Sequence, residues 1–166
     1  MTLGEFNLLP SAKAEAVLLD CCGCVRWAAN VSTQRPFADA RSLFEAADSH
    51  WRSLTREDWL EAFSHHPQIG EKPSTGSESN RRWAEGEQKG ARAAIEDVKT
   101  RMAQGNQSYY DKFGYIYIVC ATGKSAEEML ALLEQRLQND PAWELPIAAE
   151  QQRQITRLRL EKLLAT

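Results

Sequence analysis

The chain has no apolar run approaching the ~20 residues that a membrane-spanning helix needs. It also lacks the cationic start of a secretory signal, opening instead Met1-Thr2-Leu3-Gly4-Glu5. There is no basic excess: 20 Lys and Arg stand against 23 Asp and Glu, a formal charge of −3, which argues against a nucleic-acid coat or a polybasic anchor. Cysteine is scarce, at 4 residues in 166, far below a disulfide scaffold. Three of them form the run Cys21-Cys22-Gly23-Cys24, a Cys-x-x-Cys match with no second Cys/His pair at zinc-site spacing. The run reads as small apolar packing, so no metal site is expected; a zinc or redox role is the competing reading. The end Leu164-Ala165-Thr166 is not a peroxisomal tripeptide. The expectation is a cytoplasmic protein with neither a membrane nor a nucleic-acid partner.

What is present suits one globular domain spanning 1–166. Hydrophobic residues make up 43% and charged residues 26% of the chain, near globular averages. Helical periodicity dominates. Ala14, Val17, Leu18, Cys21, Cys22, Val25 and Ala28 predict one helix over 11–29 with Ser11 as N-cap, and the polar stretch 30–36 breaks it at Pro36. Phe37, Ala40, Leu43, Phe44, Ala47 and Trp51 mark a second helix, with His50 facing solvent, and Thr55-Arg56-Glu57-Asp58 opens a third in the manner of a capping box. Turn residues then give a loop from His65 to Gly76, followed by a polar helix from Ser77 to about Met102. Ser125-Ala126-Glu127-Glu128 caps a helix through about Leu137, and a last helix is expected from Pro146 to Leu164.

The stretch Tyr115-Ile116-Tyr117-Ile118-Val119 is rich in β-formers. No second run of that kind exists in the chain, and a lone strand cannot satisfy its own backbone groups. It is therefore expected as extended or irregular buried chain near 114–123, whose amides need a partner. The fold class that follows is all-α, a single-domain bundle of seven or eight helices.

Three places could carry chemistry. His66 precedes Pro67, which pushes it away from helical backbone angles at the mouth of the loop, and an imidazole exchanges protons near neutral pH without unusual tuning. The competing reading is that His65 or His66 merely caps the preceding helix. On the next helix Ala84, Glu87, Gln88 and Ala91 share one side, a pocket wall of small residues around a carboxylate and an amide, or else a solvated face. In the last helix Arg159 lies inside the apolar sector of Ile155, Leu158, Leu160, Leu163 and Leu164. A guanidinium there needs an anionic partner, from Glu87 or from a ligand, unless it snorkels. Together these groups suit proton transfer on a small anionic, amide-bearing molecule.

With these residues the chain resembles the 2-oxo-4-hydroxy-4-carboxy-5-ureidoimidazoline (OHCU) decarboxylases of uric acid degradation. The resemblance runs through Leu3-Gly4-Glu5-Phe6-Asn7, Cys21-Cys22, Trp27, Arg35-Pro36-Phe37, His66-Pro67-Gln68-Ile69-Gly70, Glu87-Gln88, Phe113-Gly114-Tyr115 and Leu158-Arg159-Leu160 with Leu163-Leu164, in the family's order. It implies an all-α homodimer that converts OHCU to (S)-allantoin and CO₂ without cofactor. It further implies a catalytic His66, and a substrate held by Pro67, the helical segment from Ala84 to Gln88, Arg159 and the backbone of Tyr117, Ile118, Val119, Cys120 and Ala121. The chemistry of the reaction adds the expectation that Glu87 is catalytic as the partner of His66 in handling protons. A non-catalytic helical module that binds a ureide or purine-derived ligand is the alternative. Many members of the family carry serine where this chain has Ala84. Ala84→Ser is therefore expected to leave the KM for OHCU unchanged or slightly lower, as read from initial rates across substrate concentration.

Overall fold

The computed structural model describes residues 1–69 and 96–165. Among these residues it contains eight helices and no strand, in agreement with the expected all-α class. They are α1 (Leu3–Leu8), α2 (Ser11–Cys21), α3 (Val25–Ser32), α4 (Ala40–Arg52), α5 (Arg56–Ser64), α6 (Glu96–Phe113), α7 (Ala126–Arg136) and α8 (Pro141–Leu164). The chain forms two compact units, Met1–Ala62 with Arg153–Thr166, and Phe63–Gln152.

The first unit is built on Phe6, Leu18, Trp27, Leu43 and Leu160, all fully buried. Trp27 also satisfies its indole by donating to the Ala47 carbonyl at 3.0 Å. Helix α1 is too short for periodicity to reveal, yet it carries a complete capping box. Thr2 N–H donates to Glu5 Oε2 at 2.6 Å, and Glu5 N–H donates to Thr2 Oγ1 at 3.2 Å. Asn7 and Phe37 exchange two hydrogen bonds of 2.9 Å. The Arg35 guanidinium donates to the carbonyls of Phe6 at 3.0 Å and Leu9 at 2.7 Å. Residues Phe6-Asn7 and Arg35-Pro36-Phe37 thus act as a structural clasp around the end of α1.

The helix expected over 11–29 is two helices. Cys22 and Cys24 are extended, with φ −148° and −122°, and Cys24 N–H turns back onto the Cys22 carbonyl at 2.8 Å. Periodicity misses this break because the cysteines of the bend are as buried as the helical residues beside it. Pro10, rather than Ser11, occupies the N-cap of α2. Helix α4 begins at Ala40 instead of Phe37, since Asp39 caps it: Ser42 N–H donates to Asp39 Oδ1 at 2.7 Å. Phe37 keeps its apolar role outside the helix by stacking on Phe6. Helix α5 starts as Thr55-Arg56-Glu57-Asp58 suggests, with Thr55 N–H donating to Asp58 Oδ2 at 3.1 Å.

In the second unit α6 runs on to Phe113, past the expected end near Met102. It stops where Gly114 takes φ +81° and donates its N–H to the Tyr110 carbonyl at 2.8 Å, a left-handed conformation that favours glycine. The stretch of the expected helix before Glu96 lies outside the described residues. Helix α8 starts at Pro141, five residues before Pro146. Proline suits the first turn, where its missing N–H would have no helical partner, and Pro146 lies on the exposed side.

Tyr115 to Ala121 crosses this unit as buried chain without sheet pairing, as its isolation in the sequence predicts. Arg136 and Glu144 hold it. Glu144 is fully buried and accepts from Arg136 Nε at 2.5 Å, Tyr109 Oη at 2.6 Å and Asn139 Nδ2 at 3.0 Å. Arg136 Nη1 donates to the Ile118 carbonyl at 2.5 Å, and its guanidinium lies over the Tyr117 ring at 4.9 Å. Burial opposes the Arg136 charge, but Tyr109, Glu144 and Tyr117 outweigh it and hold its pKa above the ordinary value. Arg136→Met leaves the Glu144 carboxylate buried without its cation, so the stability measured by denaturant unfolding should fall by about 3–5 kcal/mol. Arg136→Met/Glu144→Leu removes the unpaired charge but leaves the Ile118 carbonyl and the Tyr109 hydroxyl without their partners, so it should recover only part of that loss.

Candidate active site

The His66 imidazole does not cap α5. Its backbone N–H closes the last turn on the Phe63 carbonyl at 3.1 Å, while the ring reaches across to α8, placing Nε2 at 2.6 Å from Gln152 Oε1. Pro67 follows, half-buried, and His65 is exposed. Gln151 uses its side chain to accept from the Cys120 N–H at 2.9 Å. Two consecutive glutamines of α8 therefore hold the imidazole and the 115–121 segment. His50, expected to face solvent, is half-buried with Nε2 at 2.7 Å from Gln34 Nε2.

The segment itself is polarised. The carbonyl of Ile118 accepts from Arg136, that of Cys120 from Lys124 Nζ at 2.8 Å, and that of Ala121 from Lys124 N–H at 3.0 Å. Among the described residues the N–H groups of Tyr117, Ile118, Val119 and Ala121 have no hydrogen-bond partner. These residues are all buried, so what remains along this stretch is a set of donors suited to carbonyl or carboxylate oxygens. A cavity of about 480 Å³ is lined by Val119, Lys124, Arg136, Ile147 and Gln151. His66 is not among its lining residues.

Arg159 lies in the first unit, 3% exposed, inside the apolar sector as its helical spacing predicts. Its Nη1 donates to the Cys21 carbonyl at 3.4 Å, so the guanidinium does not snorkel to solvent. Ala84, Glu87 and Gln88 lie outside the described residues. Sequence reasoning missed Gln151, Gln152 and the Arg136–Glu144 pair. For Gln152 a signal existed: it stands four residues after Ala148 and three before Ile155, both buried, a polar residue inside the same stripe that exposes Arg159.

The cysteines are four buried free thiols. Burial pushes Cys22 up to about 12 from an ordinary 9.0, partly opposed by its hydrogen bond with Thr156, and burial likewise pushes Cys24 up to about 11. Ligand atoms of Cys24, Asp58 and Glu61 lie within 4.8 Å of one another, but Asp58 Oδ2 already accepts from Thr55 and from Arg26 at 3.2 Å.

A family model described as OHCU decarboxylase matches residues 7–161. The chain is 40% identical over 147 residues to the uric acid degradation bifunctional protein of Arabidopsis thaliana, covering 87% of this chain and 45% of that protein, so it spans less than half of that relative. It is 30% identical over 142 residues to the 2-oxo-4-hydroxy-4-carboxy-5-ureidoimidazoline decarboxylase of Amia calva, covering 85% of this chain and 81% of that one. A crystal structure of OHCU decarboxylase in the presence of (S)-allantoin matches with TM-score 0.79 and 35% identity, over 91% of this chain and 99% of the other. A structure of (S)-allantoin synthase, at 18% identity and TM-score 0.74 over 98% of this chain and 53% of the other, shares the fold. An all-α chain with an imidazole and a row of main-chain donors held from one helix, matched over nearly its whole length, belongs to the OHCU decarboxylase family.

The thiols yield a pH prediction. The pKa values of Cys22 and Cys24 are raised on folding, so the contribution of these two thiols to stability is complete below about pH 9 and is lost as pH climbs toward 11 to 12. The denaturant midpoint should therefore fall steadily above pH 9. Cys22→Ala should flatten that fall by up to about 1.4 kcal/mol per pH unit.

Proposed function

We propose that this chain catalyses the decarboxylation of OHCU to (S)-allantoin and CO₂ with no cofactor, His66 and Glu87 handling the protons. The supporting observation is the pair of contacts from neighbouring residues of α8, Gln152 to the His66 ring and Gln151 to the Cys120 amide, in a chain of this family. The substrate makes a cofactor unnecessary. Its carboxylate leaves from a carbon next to a C=N unit, so the electron pair of the breaking bond passes to nitrogen, the role thiamine or pyridoxal fills for substrates without such a sink. As the hydroxyl on that carbon becomes a carbonyl, the ureido-bearing carbon takes up a proton.

The protein then has three tasks. It orients the carboxylate, stabilises negative charge as it moves into the ring, and returns a proton to one face. The main-chain donors of Tyr117, Ile118, Val119 and Ala121, together with Gln88, hold the ureido and ring carbonyl oxygens. Each such preorganised donor lowers the barrier by ~2.7–4 kcal/mol. Arg159 fixes polar substrate oxygens or steadies Glu87, while Pro67 and Ala84 shape the wall. Chirality follows from the face of the substrate that His66 and Glu87 meet. The same reading extends to a homodimer acting in the cytoplasm.

Freshly generated OHCU followed by ultraviolet absorbance and circular dichroism tests the activity directly. The expected result is accelerated loss of OHCU with the dichroism of (S)-allantoin appearing; a rate and a racemic product unchanged by the protein would overturn the proposal. His66→Asn should lower kcat by ~10²–10⁴-fold and abolish enantioselectivity while leaving the far-ultraviolet dichroism unaltered. Full retained activity would remove His66 from its role.

A further inference from the structure

We infer that Gln152 is a positioning residue that selects the tautomer of the His66 ring, so that the proton exchanged with substrate travels through Nδ1. The inference rests on the reading of His66 as the proton-handling group. Gln152 is fully buried, on the same side of α8 as Ala148 and Ile155. A primary amide at such a place costs free energy unless it is hydrogen-bonded, and leucine would fill the stripe without that cost. Its Oε1 stands 2.6 Å from His66 Nε2. An amide oxygen offers only lone pairs, so this contact requires the hydrogen on Nε2.

The chemical consequence follows from the ring. With Nε2–H directed at Gln152, the neutral imidazole carries its basic lone pair on Nδ1. When the ring gains a proton, the Nε2–H···O bond persists. Gln152 therefore holds one orientation through both protonation states and does not itself ionise. A carboxylate at this position would instead favour the imidazolium. The neighbouring Gln151 grips Cys120 N–H from the next position of the same helix, so a shift of α8 would move the imidazole and the main-chain donors together. Second-sphere groups of this kind orient a histidine by binding its other nitrogen.

The test uses ¹⁵N-labelled protein, with the His66 ring signals identified by their loss in His66→Asn. Wild-type protein should show a single Nε2–H tautomer with a slowly exchanging Nε2 proton. Gln152→Met should lose that protected proton and give a tautomer mixture. Its kcat should fall about tenfold or more while KM stays within about twofold. Gln152→Glu, which keeps an oxygen acceptor, should restore the protected proton and part of kcat. An Nδ1–H tautomer in wild type, or an unchanged ring spectrum in Gln152→Met, would overturn the role of Gln152. Should Gln152→Met fail to fold, the wild-type and Gln152→Glu spectra still decide it. A fully active His66→Asn with the expected ring spectra would instead sink the proton-handling reading and leave the tautomer assignment standing.

Discussion

The second unit depends on one buried ion pair. Seven residues of irregular chain, Tyr115 to Ala121, all but Ile116 buried, have no sheet to satisfy them, and an interior backbone of that kind is costly unless its polar groups are taken. Arg136 and Glu144 make it tenable. Glu144 neutralises the guanidinium, Tyr109 and Asn139 fill its remaining lone pairs, and the guanidinium spends a donor on the Ile118 carbonyl. A buried pair is weak evidence of stability in itself. Here it specifies a backbone path, and the proposed substrate-binding donors lie along that path.

Helix α8 organises much of the rest. Glu144, Gln152, Thr156 and Arg159 are all buried polar residues on this one element, spaced among Ala148, Ile155 and Leu160. Each has its own partner: the Arg136 guanidinium, the His66 ring, the Cys22 thiol and the Cys21 carbonyl. An apolar stripe interrupted at helical intervals by satisfied polar groups is a scaffold that orients side chains as well as packing them.

Much of this was legible from the amino-acid order, for identifiable reasons. The all-α class follows from long periodic stretches and from the isolation of Tyr115-Ile116-Tyr117-Ile118-Val119 as β-forming chain. Capping chemistry located the starts of α5 and α7, because Thr55 and Ser125 act on neighbours three residues away. Local signals failed where tertiary contacts decide. The bend at Cys22–Cys24 keeps both flanks buried and so leaves the pattern intact. The start of α8 lies at Pro141, ahead of the expected Pro146, because a proline suits the first turn of a helix as well as a break between helices. Arg159 was found because it interrupts an obvious apolar sector. Gln152 interrupts the upstream part of that sector, and Arg136 meets Glu144 eight residues away across a turn that periodicity does not encode. Glu87 and Gln88, expected from the family resemblance and from helical spacing, lie outside the described residues.

The 115–121 segment offers donors that belong to the main chain, and this has an evolutionary consequence. Every amino acid except proline carries the same N–H, so residues there can drift in identity, within the volume their burial permits, and still present unchanged donors. What lineage must preserve at this stretch is a path, maintained by groups elsewhere such as Arg136 and by Gly114 and Gly123 at its ends with φ +81° and +77°. If the segment binds substrate as proposed, surveys that seek functional positions through invariant side chains would pass over it and be drawn instead to the distant residues that keep it in shape.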